Sequence, residues 1–247
     1  MVTWPAGYGR RVLQQVDSTM AEAARIAPEL TGPEWILALQ QTAARGRRGR
    51  AWHMPAGNFS ATLVLRPEDP PDVMALRSFV AALALFDAFE AAAGTAQGLA
   101  LKWPNDVLLN GGKAAGILLE NLGGPGGHLA IGVGVNLIAA PDADAVEPGA
   151  VPPVSLLEES GMRVSPEQFL TLLADAYAQW ETRFVTYGFE PVRRAWLDRA
   201  ARLGEVITAR TTRDEVTGTF ESVDERGNLV LKTSSTRAAI AAADVFF

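Results

Sequence analysis

Between Leu99 and Asn136 the chain carries three runs of β-type residues, "LALKWPNDVLL", "KAAGILLEN" and "HLAIGVGVNL", broken by "NGGK" and "GGPGG". Glycine clusters of this kind end strands and set turns, so strands dominate here and any fold must be built around a sheet. Upstream, "RRVLQQV", "EWILALQ" and "NFSATLVL" read as further strands. Helices are predicted over "DSTMAEAARIA", where Thr19 and Glu22 have capping-box spacing, and over "DVMALRSFVAALALFDAFEAAA", where apolar residues recur at helical spacing after Pro70, Pro71 and Asp72. A Pro- and Ala-rich loop from Ala139 to Pro153 leads to two more helices, "PEQFLTLLADAYAQWETRF" and "EPVRRAWLDRA". From Leu203 to Phe247 the pattern changes to short β-type runs separated by turn signals such as "DERGN", which predicts a small β-barrel. The expected class is α+β, with residues 1–202 as one domain and 203–247 as a second.

The segment "QQTAARGRRGRAW", Gln40 to Trp52, places four arginines within six residues of a chain whose net charge is −6. Non-specific nucleic-acid affinity comes from summed phosphate contacts, so an acidic total argues against a protein whose main work is holding a polyanion. The positive charge is local. A chain of 247 residues that is 48% hydrophobic and 20% charged has the composition of an ordinary globular protein. It has no cysteine, which rules out disulfides and thiolate metal sites. "MVTWPAGYGRRV" lacks the apolar run of a signal peptide, and "FVAALALFDAF" is interrupted by Asp87 and too short to span a bilayer. A soluble, cytoplasmic protein without membrane contact is expected.

With two histidines, His53 and His128, far apart and outside any HExxH pattern, a protein zinc site lacks ligands. No GxSxG elbow presents a serine. "NGGKAAG" fails the phosphate-loop pattern, because Lys113 is followed by Ala114 and an earlier glycine is missing. "GVGVNL" holds only the first two glycines of a dinucleotide fingerprint, which points instead to close approach by backbone or ligand. What remains is Lys102, Asn105, Asp106 and Lys113 within twelve positions, beside the stiff pair Trp103-Pro104. Two lysines, a carboxylate and an arginine loop suit chemistry on a phosphate next to a carboxylate, where cations neutralise growing charge. A solvated surface turn is the competing reading of "KWPND". For "RGRRGR" the competitors are a flexible solvated loop and a nucleic-acid patch. Such a loop is expected to gain order when an anion binds. Trp52 suits either a core position or a face for an adenine.

The pieces "DSTM", "QTAARGRRGRAW", "KWPNDVLLNGGKAAGILLE" and "IGVGVNL", in this order and at these separations, resemble the catalytic domain of biotin protein ligases. The strand-rich tail resembles that family's SH3-like C-terminal domain. The resemblance implies a class II aminoacyl-tRNA-synthetase-like, biotin/lipoate ligase catalytic domain with a mixed β-sheet. It implies that biotin and ATP, with Mg2+, form biotinyl-5′-AMP, and that biotin then passes to a lysine of a biotin carboxyl carrier protein. By matching positions, Ser18, Thr19, Gln41, Arg45, Arg47, Lys113 and Gly116 would bind biotin, with Ser18 and Thr19 at the ureido ring. Arg45, Arg47, Arg48, Arg50, Trp52, Asn105, Lys113 and Asn136 would hold ATP or the adenylate. Lys113, Arg45, Arg47, Lys102 and Asp106 would be catalytic, with Mg2+ near Asp106. Ala44 replaces the loop's usual first glycine and Met20 stands where many members have Asn. The last strand, "AAADVFF", lacks the arginine and glutamate that approach ATP in some members, so that role is not carried over. The pattern starts near Arg10, which suggests the monofunctional form without a DNA-binding domain. The oligomeric state is open, a homodimer included. A lipoate or octanoate ligase and a non-enzymatic RNA-binding protein are the alternatives; the arginine segment lacks the interleaved aromatics of the latter.

Overall fold

The structure, a computed structural model, describes residues 2–50, 52, 54–123, 127–142 and 149–247, with Arg47 described without its side chain. His53 and parts of the "GGPGG" and Ala139–Pro153 loops lie outside the described residues. Seven strands form one sheet: β1 (Gly9–Leu13), β2 (Glu34–Ala38), β3 (Phe59–Leu65), β4 (Leu99–Lys102), β5 (Asp106–Leu109), β6 (Gly112–Leu122) and β7 (His128–Val135). Their order is β1-β2-β3-β7-β6-β5-β4. Only β1 and β2 run parallel, so the sheet is mixed as expected.

Every residue of β3 is buried although strands alternate faces, because both faces of the sheet are covered at that point. Phe59, Ala61, Leu63 and Leu65 face one way, into a core shared with the helices α3 (Arg77–Ala93) and α5 (Pro166–Tyr187). Val64 faces the other way and packs with Met20, Ala23, Ile26 and Ala27 of and around the helix α1 (Thr19–Ile26). Between them, Ser60 and Thr62 bring polar groups to this second face, where the cleft opens.

Three expectations need correction. The Thr19–Glu22 capping box does not form: the cap of α1 is Ser18, whose hydroxyl accepts from the amide of Met20, and Thr19 turns its hydroxyl to Gln41 instead. The helix expected from Asp72 onward is divided at Leu76 into α2 (Pro71–Ala75) and α3, and Arg77 begins the second part fully inside the protein. "LALKWPNDVLL" is two antiparallel strands, β4 and β5, joined by the Trp103-Pro104 turn with a cis peptide bond. A capping box does occur at Ser165 and Gln168, ahead of α5.

Two short helices, α4 (Leu156–Ser160) and α6 (Phe189–Leu197), complete the larger body. The final strands β8 (Val206–Arg210), β9 (Glu215–Val223), β10 (Leu229–Lys232), β11 (Arg237–Ile240) and β12 (Asp244–Phe246) form a separate antiparallel sheet in the order β11-β10-β9-β8-β12. It is pinned to the larger body at Gly227, whose carbonyl accepts from the Trp103 indole at 3.0 Å. Only glycine fits there, since its φ is +80° and a Cβ would lie 2.9 Å from the Phe79 ring. Among the described residues no helix is long and apolar enough to cross a membrane.

Candidate functional site

A cleft of about 740 Å3 opens on the α1 side of the sheet. Its floor is set by strand register. Gly116 of β6, Gly134 of β7 and Ser60 of β3 stand side by side, and Leu118, Gly132 and Thr62 form the next row. The glycines are needed for depth: a Cβ on Gly134 would lie 2.5 Å from the Trp52 indole, and one on Gly132 would lie 2.7 Å from the Met20 sulfur. The close approach expected of "GVGVNL" is therefore met by Trp52 and Met20.

At one end of the floor the residues form a chain of hydrogen bonds. Thr62 Oγ1 donates to Thr19 Oγ1 at 2.9 Å, and Thr19 Oγ1 donates to Gln41 Oε1 at 3.2 Å. The Thr19 amide donates to the same Gln41 oxygen at 2.7 Å. This relay fixes which end of the Gln41 amide points where, and it explains why Thr19 is not the helix cap. Its members come from α1, β3 and the loop after β2.

At the other end lie the charged groups. The Lys113 ammonium is 2.7 Å from Asp106 Oδ1, and the Lys102 ammonium is 3.9 Å from Asp106 Oδ2. Asp106 Oδ1 is buried and the contact with Lys113 is close without hydrogen-bond alignment, so its attraction is mainly that of charge. A bulge between Val107 and Leu108 sets Lys113 against β5. The ammonium also lies 5.8 Å from the centre of the Trp52 ring. Asn136 donates through Nδ2 to the carbonyl of Val154 at 3.0 Å, while its Oδ1 is buried without a hydrogen-bond partner among the described residues. Asn105 also lines this end and donates through Nδ2 to the carbonyl of Ile117.

The arginine loop lies over the cleft. Carboxylates of the chain itself hold it: Arg45 meets Glu120 of β6 at 2.9 Å, and Arg48 and Arg50 meet Asp244 of β12 at 2.5 and 3.3 Å. Arg48 turns through a left-handed conformation, φ +57°, with Gly49 at +72°. The expectation that this loop waits for an external anion is thus corrected in part, because internal anions already engage it. Of the arginines, Arg45 and Arg50 line the cleft; the Arg48 guanidinium is directed to Asp244, and the Arg47 side chain lies outside the described residues.

The cleft brings together Ser18, Thr19, Gln41, Arg45, Arg50, Trp52, Lys102, Asn105, Asp106, Lys113, Gly116 and Asn136 from the sequence-predicted set. It also includes residues that the sequence reading missed. Asp244, Val245 and Phe246 enter from the small sheet, and Ser60 enters from the floor. The alternation of "NFSATLVL" puts Ser60 on the face of Thr62, which was a usable signal. Nothing local marks Asp244, whose partner Arg48 is 196 residues away.

Fold and cleft together define a ligase of the biotin/lipoate class. Residues 12–136 match the biotin/lipoate A/B protein ligase family and residues 203–247 match the biotin protein ligase C-terminal domain; the chain belongs to this family. It is 59% identical to a biotin–[acetyl-CoA-carboxylase] ligase from Paracoccus denitrificans, over 96% of this chain and 99% of that protein. It is 31% identical to the bifunctional ligase/repressor BirA of Bacillus subtilis, over 95% of this chain and 71% of that one. Its fold is that of the biotin protein ligase from Aquifex aeolicus in complex with biotin and ATP, with a TM-score of 0.84, 22% identity, and coverage of 96% and 98%.

Proposed function

We propose that this protein activates biotin with ATP to give biotinyl-5′-AMP and transfers biotin to a lysine of a biotin carboxyl carrier protein of acetyl-CoA carboxylase or a related enzyme. The observation that carries the reading is the cleft's division into a neutral hydrogen-bonding end, Thr19–Gln41–Thr62, and a cationic end, Lys113–Lys102, joined by a glycine floor. A bicyclic urea with an apolar tail ending in a carboxylate needs this order of surroundings. The close similarity to the Paracoccus ligase supports the same substrates. The same reading takes residues 1–202 as the catalytic domain and 203–247 as the C-terminal one, in a cytoplasmic enzyme.

In this reading the biotin carboxylate attacks the α-phosphate of ATP and pyrophosphate leaves. Lys113 is the principal catalytic residue: its ammonium, beside Gly116, stabilises the charge that builds as the two anions meet. Arg45 and Arg47 serve the carboxylate and phosphate, and Lys102 helps neutralise the nucleotide. Asp106 holds both ammonium groups in place and steers the incoming acceptor amine. The amine attacks the mixed anhydride, forms the amide and releases AMP. Arg48 and Arg50 hold the loop over the anhydride and slow its loss to water. Asn136 Oδ1, lacking a donor, suits the exocyclic amine of adenine, with Trp52 beside the base. Magnesium does not fit as an ion held by Asp106, which lies between two ammonium groups. A hard cation prefers oxygen ligands and keeps several waters, so in this reading the ion sits with the phosphates of ATP. Incubation with ATP and biotin, acid quench and mass spectrometry should reveal biotinyl-5′-AMP; its absence, with ATP and biotin both recovered intact, overturns the reading.

A further inference from the structure

We infer that Ser60 is a further specificity-determining residue, whose hydroxyl receives the polar edge of the substrate's ring; this rests on the biotin reading above. Ser60 is 3% exposed, and its Oγ has no hydrogen-bond partner among the described residues. It nevertheless lines the cleft, in the row of Gly134 and Gly116. A buried hydroxyl left unpaired is costly, so one that persists beside a ligand cavity is positioned to be completed by the ligand.

The hydrogen-bonding capacity of its neighbours supports the assignment. Ser18 Oγ already accepts from the Met20 amide as the helix cap. Thr19 Oγ1 lies between Thr62, from which it accepts, and Gln41, to which it donates. Gln41 Oε1 takes two donors from Thr19. These groups are largely committed to one another, and their mutual bonds give the pocket its shape. Ser60 alone in this row brings both a donor and an acceptor wholly uncommitted. A cyclic urea offers both complements, an N–H to donate and a carbonyl to accept.

Position fixes which part of the ligand Ser60 meets. Along the row, Ser60 is separated from Gly116 by Gly134, and the Lys113 ammonium lies beside Gly116. The Trp52 indole rests on these two glycines, so a carboxylate held at Lys113 delivers its ring to β3, where Ser60 adjoins the Thr19–Thr62 relay, as the indole moves aside for the tail. A fatty acid or dithiolane ring reaching the same place offers no such group and would leave the hydroxyl buried and unpaired. Ser60 thus favours a polar ring over an apolar one by the asymmetry between a made and an unmade hydrogen bond.

The test is calorimetric titration of the full-length protein with biotin, and separately with ATP, for the wild type and Ser60→Ala. The expected result is biotin affinity weakened about tenfold while ATP affinity moves less than about twofold, the loss of one hydrogen bond to the ring. Steady-state turnover should show the same split, with the KM for biotin raised and that for ATP little altered. Ser60→Cys, nearly the same size with a weaker hydrogen-bonding group, should fall between the two, and it serves if Ser60→Ala does not fold. Unchanged biotin affinity in a folded variant, beside normal binding by the wild type, overturns the inference and leaves the biotin reading intact. Failure of the wild type to bind biotin with or without ATP overturns both.

Discussion

Lys113 and Gly134 carry different kinds of information at the residue scale. Lys113 touches Asp106 and faces Trp52; its removal leaves the strand pairing of β6 in place but takes the nearer of two cations from a buried carboxylate, with Lys102 remaining beside Asp106. Lys113→Ala is expected to lower adenylate formation by about 100-fold or more, in line with loss of a preorganised charge at the reacting centre, in a protein that still folds although Asp106 has lost its nearer cation. Near-normal adenylate formation would remove Lys113 from the catalytic role. Gly134→Ala tests the floor. Its added methyl group would press on the Trp52 indole, at a cost of about 1–3 kcal/mol for forced overpacking, read by urea unfolding. Trp52→Leu should recover part of that loss, whereas a Gly134→Ala protein as stable as wild type would show that the indole does not rest on the floor. Both residues were legible in the sequence, Lys113 by its neighbours and Gly134 by its spacing from Gly132. Thr19 was only half legible: its distance from Glu22 fitted a cap, but Gln41, 22 residues on, competes for the same hydroxyl.

Among the elements, the arginine loop and the α3–α5 pair show opposite kinds of charge. The loop's ion pairs are solvent-exposed, so each holds it weakly. Asp244→Ala should therefore leave global stability nearly intact while trypsin cleaves within residues 45–50 several-fold faster, an increase that ATP with biotin should suppress. Equal cleavage rates would show that Asp244 does not restrain the loop. The helix pair holds a buried network instead. Arg77 lies 2.8 Å from Glu181 and 2.9 Å from Asp69, and Tyr177 donates to Glu181 at 3.1 Å. Arg77→Ala strands Glu181 and should cost about 3–5 kcal/mol. Burial also pushes the Tyr8 phenol up to about 12, with Glu181 nearby adding to it, and raises Tyr177 for the same reasons. Because the fold favours their neutral forms, this contribution is fully present below pH 10 and is lost as pH rises through about 12. Absorbance at 295 nm should show Tyr8 and Tyr177 ionising only as the circular dichroism of the fold disappears; reversible ionisation of all three tyrosines near pH 10 in folded protein would contradict it. Helical periodicity made α3 and α5 legible, but the network was not, since Arg77 reads as a surface residue until Glu181 is brought 104 residues along the chain to meet it.

For the whole molecule, the change of pattern near Leu203 marked in the sequence where the second sheet begins, but two of the predicted runs each divide into two strands, "LALKWPNDVLL" into β4 and β5 and "AAIAAADVFF" into β11 and β12. Strand order was hidden, because β3 pairs with β7 across an intervening helix pair and three strands, and only tertiary packing decides among such partners. The same long range hid the part of the small sheet that reaches the cleft, where β12 brings Asp244 to the arginine loop. Activation of biotin in this cleft, ahead of its transfer to a carrier lysine, is the central claim. Pyrophosphate release by the purified protein with magnesium-ATP, comparing biotin with lipoate and octanoate and followed by addition of a biotin carrier domain, tests it most directly. Release that depends on biotin, with label then appearing on the carrier lysine, is the predicted result. Release with lipoate or octanoate but not with biotin, or no release with any of the three, would contradict it.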